Sequence, residues 1–350
     1  MMPIFNNGQN LDYGALAAAA AGFYAAAGNF VKGEGDTINI PEAAPNIGGN
    51  GKGFRLEEKV NFDPLAPGNN DGSFSSLTLG QDYYIYALSP VGSRIAKPLA
   101  SIRSTYPDGS GATNSRKVSG FHVGRIRTMT QCFDAGAELS VGILPNGIWD
   151  LKNRPAVWPV PPGMVRVGNF AAFIYAASED GTAWPNTIPL SKFNAVPLTG
   201  TEGYCYDDYI QLAKNAGLRL PTWQEFRQLA YGTPAGAIGG SNRVNTGYSD
   251  VFVSCHNIDM PSGHLWFPTA DYFAISGGTW AWQTHHTGKD SAKNTGNLYL
   301  CNNDLRQALA GGSWADVSYA GAGCAFLDSA PWGVAIAVGL LCVCDWKTDN

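Results

Sequence analysis

The chain has 350 residues, enough for two or three domains of ordinary size, and 45% of them are hydrophobic, so a large core can form and disorder is not the default. Charged residues make up only 15%, and the formal net charge is −5, which argues against a phosphate backbone as main partner because that role needs a basic surface. Abundant Gly, Trp and Tyr favour short strands and many turns over a helical bundle.

Residues 1–60 open with the Ala-rich run Gly14–Gly28. No basic residue precedes this run, Asp12 stands just before it, and Lys32 is the first cation, so it does not read as a secretory signal. Alanine is the best helix former, and a short helix is expected there, followed by the Gly/Asn/Pro-rich linker "EAAPNIGGNGKG". No stretch reads as membrane-inserting.

From 61 to 155 the chain reads as a small β-rich domain. "DYYIYALS", "KVSGFHVGRIRTM" and "AELSVGIL" have strand composition, separated by turn clusters such as "YPDGSGATNS". The arginines following "NSRK" are expected on a solvated strand face. "WPVPPG", Trp158–Gly163, is stiffened by its prolines and marks a boundary.

Residues 156–350 form the third zone, with α+β character. Tyr206, Tyr209, Ile210 and Ala213 recur at helical intervals, and Gly217 ends that helix. Thr222 and Glu225 then form a capping box opening a second helix, whose Trp223, Phe226 and Ala230 are expected to face the core. Beyond it the chain is loop-rich, without a sustained period.

Ordered motifs run through this third zone: "RLPTWQEFRQLAYG" (Arg219–Gly232), "GGTWAW" (Gly277–Trp282), "GGSW" (Gly311–Trp314) and "VGLLCVCD" (Val338–Asp345). Together they resemble the formylglycine-generating enzyme and sulfatase-modifying factor family, which implies a C-type-lectin-like fold. "GGSWADVSYAGAGCAFLDSAPWGVAIAVG" has the spacing of the variable segment in the variable proteins of diversity-generating retroelements, and is similar to the branch typified by the phage major tropism determinant. "SKFNAVPLTGTEG" (Ser191–Gly203) is also similar to phage members of this group. The expected architecture is therefore α+β: a C-terminal C-type-lectin-like domain, preceded by the β-rich domain and the Ala-rich helix.

The resemblance divides the segment into frame and variable positions. The frame would be Gly311, Gly312, Trp314, Ala320, Gly321, Pro331 and Gly339, with Trp280 and Trp282 as further scaffold. Trp223, Trp280, Trp282 and Trp314 are all expected in the core. The variable, ligand-contacting positions would be Ser313, Ala315, Asp316, Val317, Tyr319, Phe326, Asp328, Ser329, Trp332, Gly333, Ala335, Ala337 and Val338. In such systems adenines of template Asn codons (AAC) are mutated, and codons for all of these residue types except Trp are reached from AAC by changing adenines alone. Trp332 is therefore scaffold or derives from another codon. Tyr319, Phe326 and Trp332 are expected to contact ligand, because rigid aromatics beside small residues suit a binding surface.

Enzyme chemistry fits less well. Formylglycine-generating enzymes carry a cysteine pair shortly after the "GGS-aromatic" turn. Here the positions two and seven residues after Trp314 hold Asp316 and Gly321, and the nearest cysteine is Cys324. The five histidines include no i, i+4 pair, and His285–His286 is expected in an exposed loop. Cys342 and Cys344 share one strand face and are read as core. Seven scattered cysteines do not form a disulfide framework. No cofactor is expected, although a structural Ca²⁺ on loop oxygens stays open. The resemblance implies a non-enzymatic, trimeric receptor-binding protein of a phage tail tip, made in the bacterial cytoplasm, with a host cell-surface macromolecule as partner. The alternatives are an enzyme of the sulfatase-modifying type with altered ligands and a diversified cellular surface protein.

Overall fold

The computed structural model describes residues 20–238, 242–274, 278–284, 297–301 and 305–348. It is mostly β, with two α-helices among the described residues. The chain divides into two compact units: residues 1–124 with 141–154 and 347–350, and residues 125–140 with 155–346.

The first unit is built on one large sheet. Its strands are β1 (Tyr24–Ala26), β2 (Ala43–Pro45), β3 (Arg55–Leu56), β4 (Asp82–Leu88), β5 (Ile95–Ser101), β6 (Ser115–Ile126) and β7 (Ser140–Ile143). They lie in the order β1-β2-β3-β5-β4-β6-β7, and Trp149–Asp150 adds to β6. The β3–β5 pair is parallel, while β4 runs antiparallel to both β5 and β6. The strand compositions of β4 and β6 were legible because aromatic and β-branched side chains pack well on a pleated surface. Tyr83, Ile85 and Ala87 of β4 meet Val118, Phe121 and Val123 of β6 in the core. The Tyr83 and Phe121 rings stack at 5.1 Å.

The Ala-rich segment differs from expectation. Its first residues lie outside the described ones, but Tyr24–Ala26 is a strand paired with Ala43–Pro45. Sheet pairing thus overrides the helix propensity of alanine.

The second unit carries two helices, α1 (Tyr206–Asn215) and α2 (Trp223–Leu229). Tyr206, Tyr209 and Ala213 turn inward as their spacing predicts. The capping box at α2 is present: Thr222 Oγ1 accepts from Glu225 N at 3.2 Å, and Glu225 Oε2 accepts from Thr222 N at 2.8 Å. Arg219 grips the same carboxylate with two bonds of 2.7 Å, and this holds Glu225 below the usual carboxylate range. Phe226 and Ala230 are fully buried, but Trp223 is exposed, with Arg227 over its ring.

Around these helices lie short antiparallel strands: β8 (Met164–Val167), β9 (Phe170–Phe173), β10 (Phe267–Ala274), β11 (Trp280–Thr284), β12 (Asn297–Cys301), β13 (Leu305–Ala310), β14 (Ala325–Ser329) and β15 (Val343–Thr348). β15 pairs with β9, which pairs with β8; β10, β13 and β14 form a three-stranded sheet; β11 and β12 form a hairpin. Cys342 and Cys344 are buried, as read from the sequence, and burial pushes both thiols up.

Two further expectations fail in this unit. Arg125 and Arg127 do not lie on a solvated face. Arg125 pairs with buried Asp259 at 3.0 Å, and Arg127, only 2% exposed, donates to the carbonyls of Val253, Val251 and Asp134 at 2.6, 2.6 and 2.9 Å. A buried guanidinium is tolerated because its planar fork satisfies several carbonyls at once. Trp280 and Trp282, expected in the core, are 53% and 70% exposed on the β11–β12 hairpin, where both pack on the Tyr299 ring. Their alternate spacing puts them on one strand face, which is left largely to solvent. His285–His286 lies outside the described residues.

Candidate ligand-binding surface

The segment 311–339 is held by its frame at every few residues. Gly311 and Gly312 have φ of +97° and +88°, a region that favours glycine. A Cβ on Gly311 would stand 2.6 Å from the Pro261 carbonyl oxygen, and one on Gly312 would stand 2.6 Å from both Cα and Cβ of Ala320. Gly263 N donates to Gly312 O at 2.9 Å, Trp314 N to His264 O at 3.1 Å, and Gly321 N to Gly311 O at 2.9 Å. Ala320 is buried, and its carbonyl accepts from Gly236 N at 2.9 Å.

The far end is fixed in the same way. The Pro331 carbonyl accepts from Tyr206 N at 3.0 Å, Ala335 O from Gly200 N at 3.2 Å, and Ala337 O from Trp266 N at 2.8 Å. Tyr209, buried in α1, donates its hydroxyl to Val338 O at 2.7 Å. A Cβ on Gly339 would stand 2.6 Å from Leu265 Cδ1. The backbone is therefore set by glycines and main-chain bonds, which leaves the outward side chains free to differ.

Most of the sequence-derived variable positions do point outward. Tyr319 is 83% exposed at the end of a 3₁₀ turn, Val317–Tyr319, which presents Val317 as well. Asp316 folds that turn: its Oδ2 accepts from Ser313 N at 2.7 Å and Ser313 Oγ at 2.6 Å. Phe326 on β14 is 44% exposed and packs against Trp266 at 5.7 Å between ring centroids. Asp328 is exposed and accepts from Arg306 Nε at 3.0 Å. Ser329 Oγ accepts from Gln307 Nε2 at 3.1 Å. Ala315, Gly333 and Ala335 are exposed, while Trp332 and Ala337 are half-buried.

Ser313 and Val338 are withdrawn from the exposed set, because both are buried. Ser313 spends its hydroxyl on Asp316, and Val338 closes the frame above α1. Conversely, three exposed apolar residues were missed: Leu327, Val334 and Ile336, the last 60% exposed. The available signal was their place inside the segment. They stand outside the positions aligned with template Asn codons, which were the ones read as variable.

Near this segment lies an open cleft of about 660 Å³, lined among others by Phe133, Arg227, Tyr231, His256 and Gly321. Phe133 and Tyr231 meet edge-to-face at 5.2 Å and both are exposed. Among the described residues no group of three or more His, Cys, Asp or Glu side chains is arranged to hold a metal ion. No described helix is long and apolar enough to cross a membrane.

Residues 30–150 match the family profile described as the Mtd second domain. The chain is 29% identical over 294 residues to the "Tail fiber receptor-binding protein" of Bordetella phage BPP-1, covering 77% of this chain and 72% of that protein. The solved structure of the Major Tropism Determinant M1 variant superposes with a TM-score of 0.72 at 24% identity, covering 98% of this chain and 86% of that one. The U1 variant gives the same TM-score and identity, covering 97% and 86%. The mostly β fold is consistent with the expected C-type-lectin-like architecture, whereas the Ala-rich helix expected before it is not confirmed.

Proposed function

We infer that this chain, a homologue of a phage tail-fibre receptor-binding protein that carries an Mtd second domain, recognises a host cell-surface receptor and performs no chemistry on it. The observation that carries this reading is the contrast within one segment. Tyr319, Val317, Phe326, Leu327, Val334 and Ile336 stand exposed on a backbone pinned by glycines and main-chain bonds. Solvated apolar and aromatic side chains on a rigid frame supply contact area with few rotamers to freeze on binding.

On this reading the outward positions set which receptor is bound, and they are the product of adenine-directed change by a retroelement. The protein sits at the tail tip of a virion. It acts as a homotrimer, which multiplies individually weak sites by avidity. It uses no cofactor, beyond a structural Ca²⁺ if loop oxygens hold one. The relatives' receptor-binding role is what supports recognition over the enzymatic alternative.

The test is binding of the fluorescently labelled full chain to a panel of bacterial cells. The wild-type protein labels a subset of strains, and the triple variant Tyr319→Ser, Phe326→Ser, Ile336→Ser labels none of them while melting within a few degrees of wild type. Undiminished labelling by the triple variant would overturn the assignment of the site. Light scattering tests the trimer: a monomer at working concentration would refute it.

A further inference from the structure

Two free cysteines distant in sequence, Cys132 and Cys255, meet beside the cleft described above. Their approach can be gauged from Gly232, which lies between them. A Cβ on Gly232 would overlap Cys255 Sγ and stand 3.1 Å from Cys132 Sγ, so the two sulfurs are near neighbours.

The surrounding backbone holds this approach in place. Phe133 N donates to Gly232 O at 2.8 Å, and Cys255 N donates to Tyr231 O at 2.8 Å. Cys255 Sγ donates to the Thr128 carbonyl at 3.6 Å, so both sulfurs lie against the 128–133 segment. Both residues are partly exposed, whereas Cys205, Cys342 and Cys344 are buried.

We propose that Cys132 and Cys255 are a built disulfide site, open while the chain is in a reducing medium and closed once it meets a small-molecule disulfide outside. The reaction is thiol–disulfide exchange. One cysteine thiolate attacks the small disulfide, forms a mixed disulfide and expels one small thiolate. The second cysteine then attacks the protein sulfur of that bond and expels the other. Two protein thiols lose two protons to solvent and two electrons to the small disulfide, which leaves as two thiols. Burial pushes the Cys255 thiol up, which slows its own attack at neutral pH.

The bond would staple residues 128–133 to the loop at 255 and fix the Phe133–Tyr231 wall of the cleft. It would also close a loop of about 120 residues, which restricts the unfolded chain and raises the melting temperature. Spacing alone does not reveal it, because seven cysteines at irregular intervals do not announce one pair.

The experiment uses the full chain, purified reduced and then equilibrated with oxidised glutathione. Free thiols counted after denaturation should fall from seven to five per chain, and peptide mapping should recover Cys132 linked to Cys255. The melting temperature should rise and return on adding dithiothreitol. Cys132→Ser and Cys255→Ser should each abolish the linkage, and Cys324→Ser should retain it. Should a serine variant fail to fold, the wild-type thiol count and peptide map decide alone. Seven thiols retained, glutathione adducts without the 132–255 linkage, or another pair linked instead would each overturn the proposal.

Discussion

Adding one methyl group to Gly312 tests whether the 311–339 segment is a frame. The Gly312→Ala Cβ would stand 2.6 Å from Cα and Cβ of Ala320, where ordinary carbon contacts need about 3.5–4.0 Å. Ala320 is buried and tied through its carbonyl to Gly236, so it cannot swing aside as a flexible side chain would. The residue also sits at φ +88°, where a Cβ costs roughly 1–2 kcal/mol. Forced overpacking adds about 1–3 kcal/mol. The expected loss is therefore on the order of 2–5 kcal/mol. In a unit of this size that lowers the melting temperature by roughly 4–20 °C. Gly323→Ala is the matched control, because nothing lies within 4 Å of its Cβ position and its φ is not in the left-handed region. It should change stability by less than about 0.5 kcal/mol. Calorimetry of the two variants reads both numbers. Equal melting temperatures for Gly312→Ala and wild type would refute the frame argument.

Tyr319→Ala removes an 83% exposed ring, so stability should shift by less than about 0.5 kcal/mol while cell binding falls roughly 30-fold or more, as for an interface hot spot; titration of labelled protein on cells separates the two effects. Arg127→Met strands the carbonyls of Val251, Val253 and Asp134, and denaturant titration should show a loss of about 3–5 kcal/mol. His264 is fully buried against Trp314, and burial lowers its pKa to about 4. Its folded value lies below its unfolded one, so its contribution is complete above about pH 6.5 and is lost as pH falls toward 4. That contribution is on the order of 3 kcal/mol. Melting temperatures measured from pH 7 to 4 should fall less steeply in His264→Gln than in wild type.

The helices and the frame were legible because their signals are local. Thr222 and Glu225 cap α2 through bonds within one turn, and the Gly311–Gly312 pair adopts a local positive-φ backbone that favours glycine. What escaped was set by partners far along the chain. Arg125 and Arg127 are buried because Asp259 and the carbonyls near 251–253 come to meet them. Tyr24–Ala26 becomes a strand because Ala43–Pro45 offers a pairing edge. Trp280 and Trp282 were expected in the core because they match frame positions of the resembled family, yet their strand shows that face to solvent. The outward direction of Tyr319 and Phe326 was legible in outline. Ser313 and Val338 were misplaced, and Leu327, Val334 and Ile336 overlooked, because side-chain direction between frame residues depends on turns that spacing alone does not specify.

Site-specific photo-crosslinking tests the central claim most directly. A photoreactive phenylalanine analogue replaces Phe326 in one sample and the fully exposed Val91 of the first unit in another, and each is irradiated on cells that bind the wild-type chain. The Phe326 probe should yield a covalent adduct with a cell-surface component, and the Val91 probe should yield none. Adducts from position 91 with none from position 326 would contradict the assignment of receptor binding to the 311–339 segment.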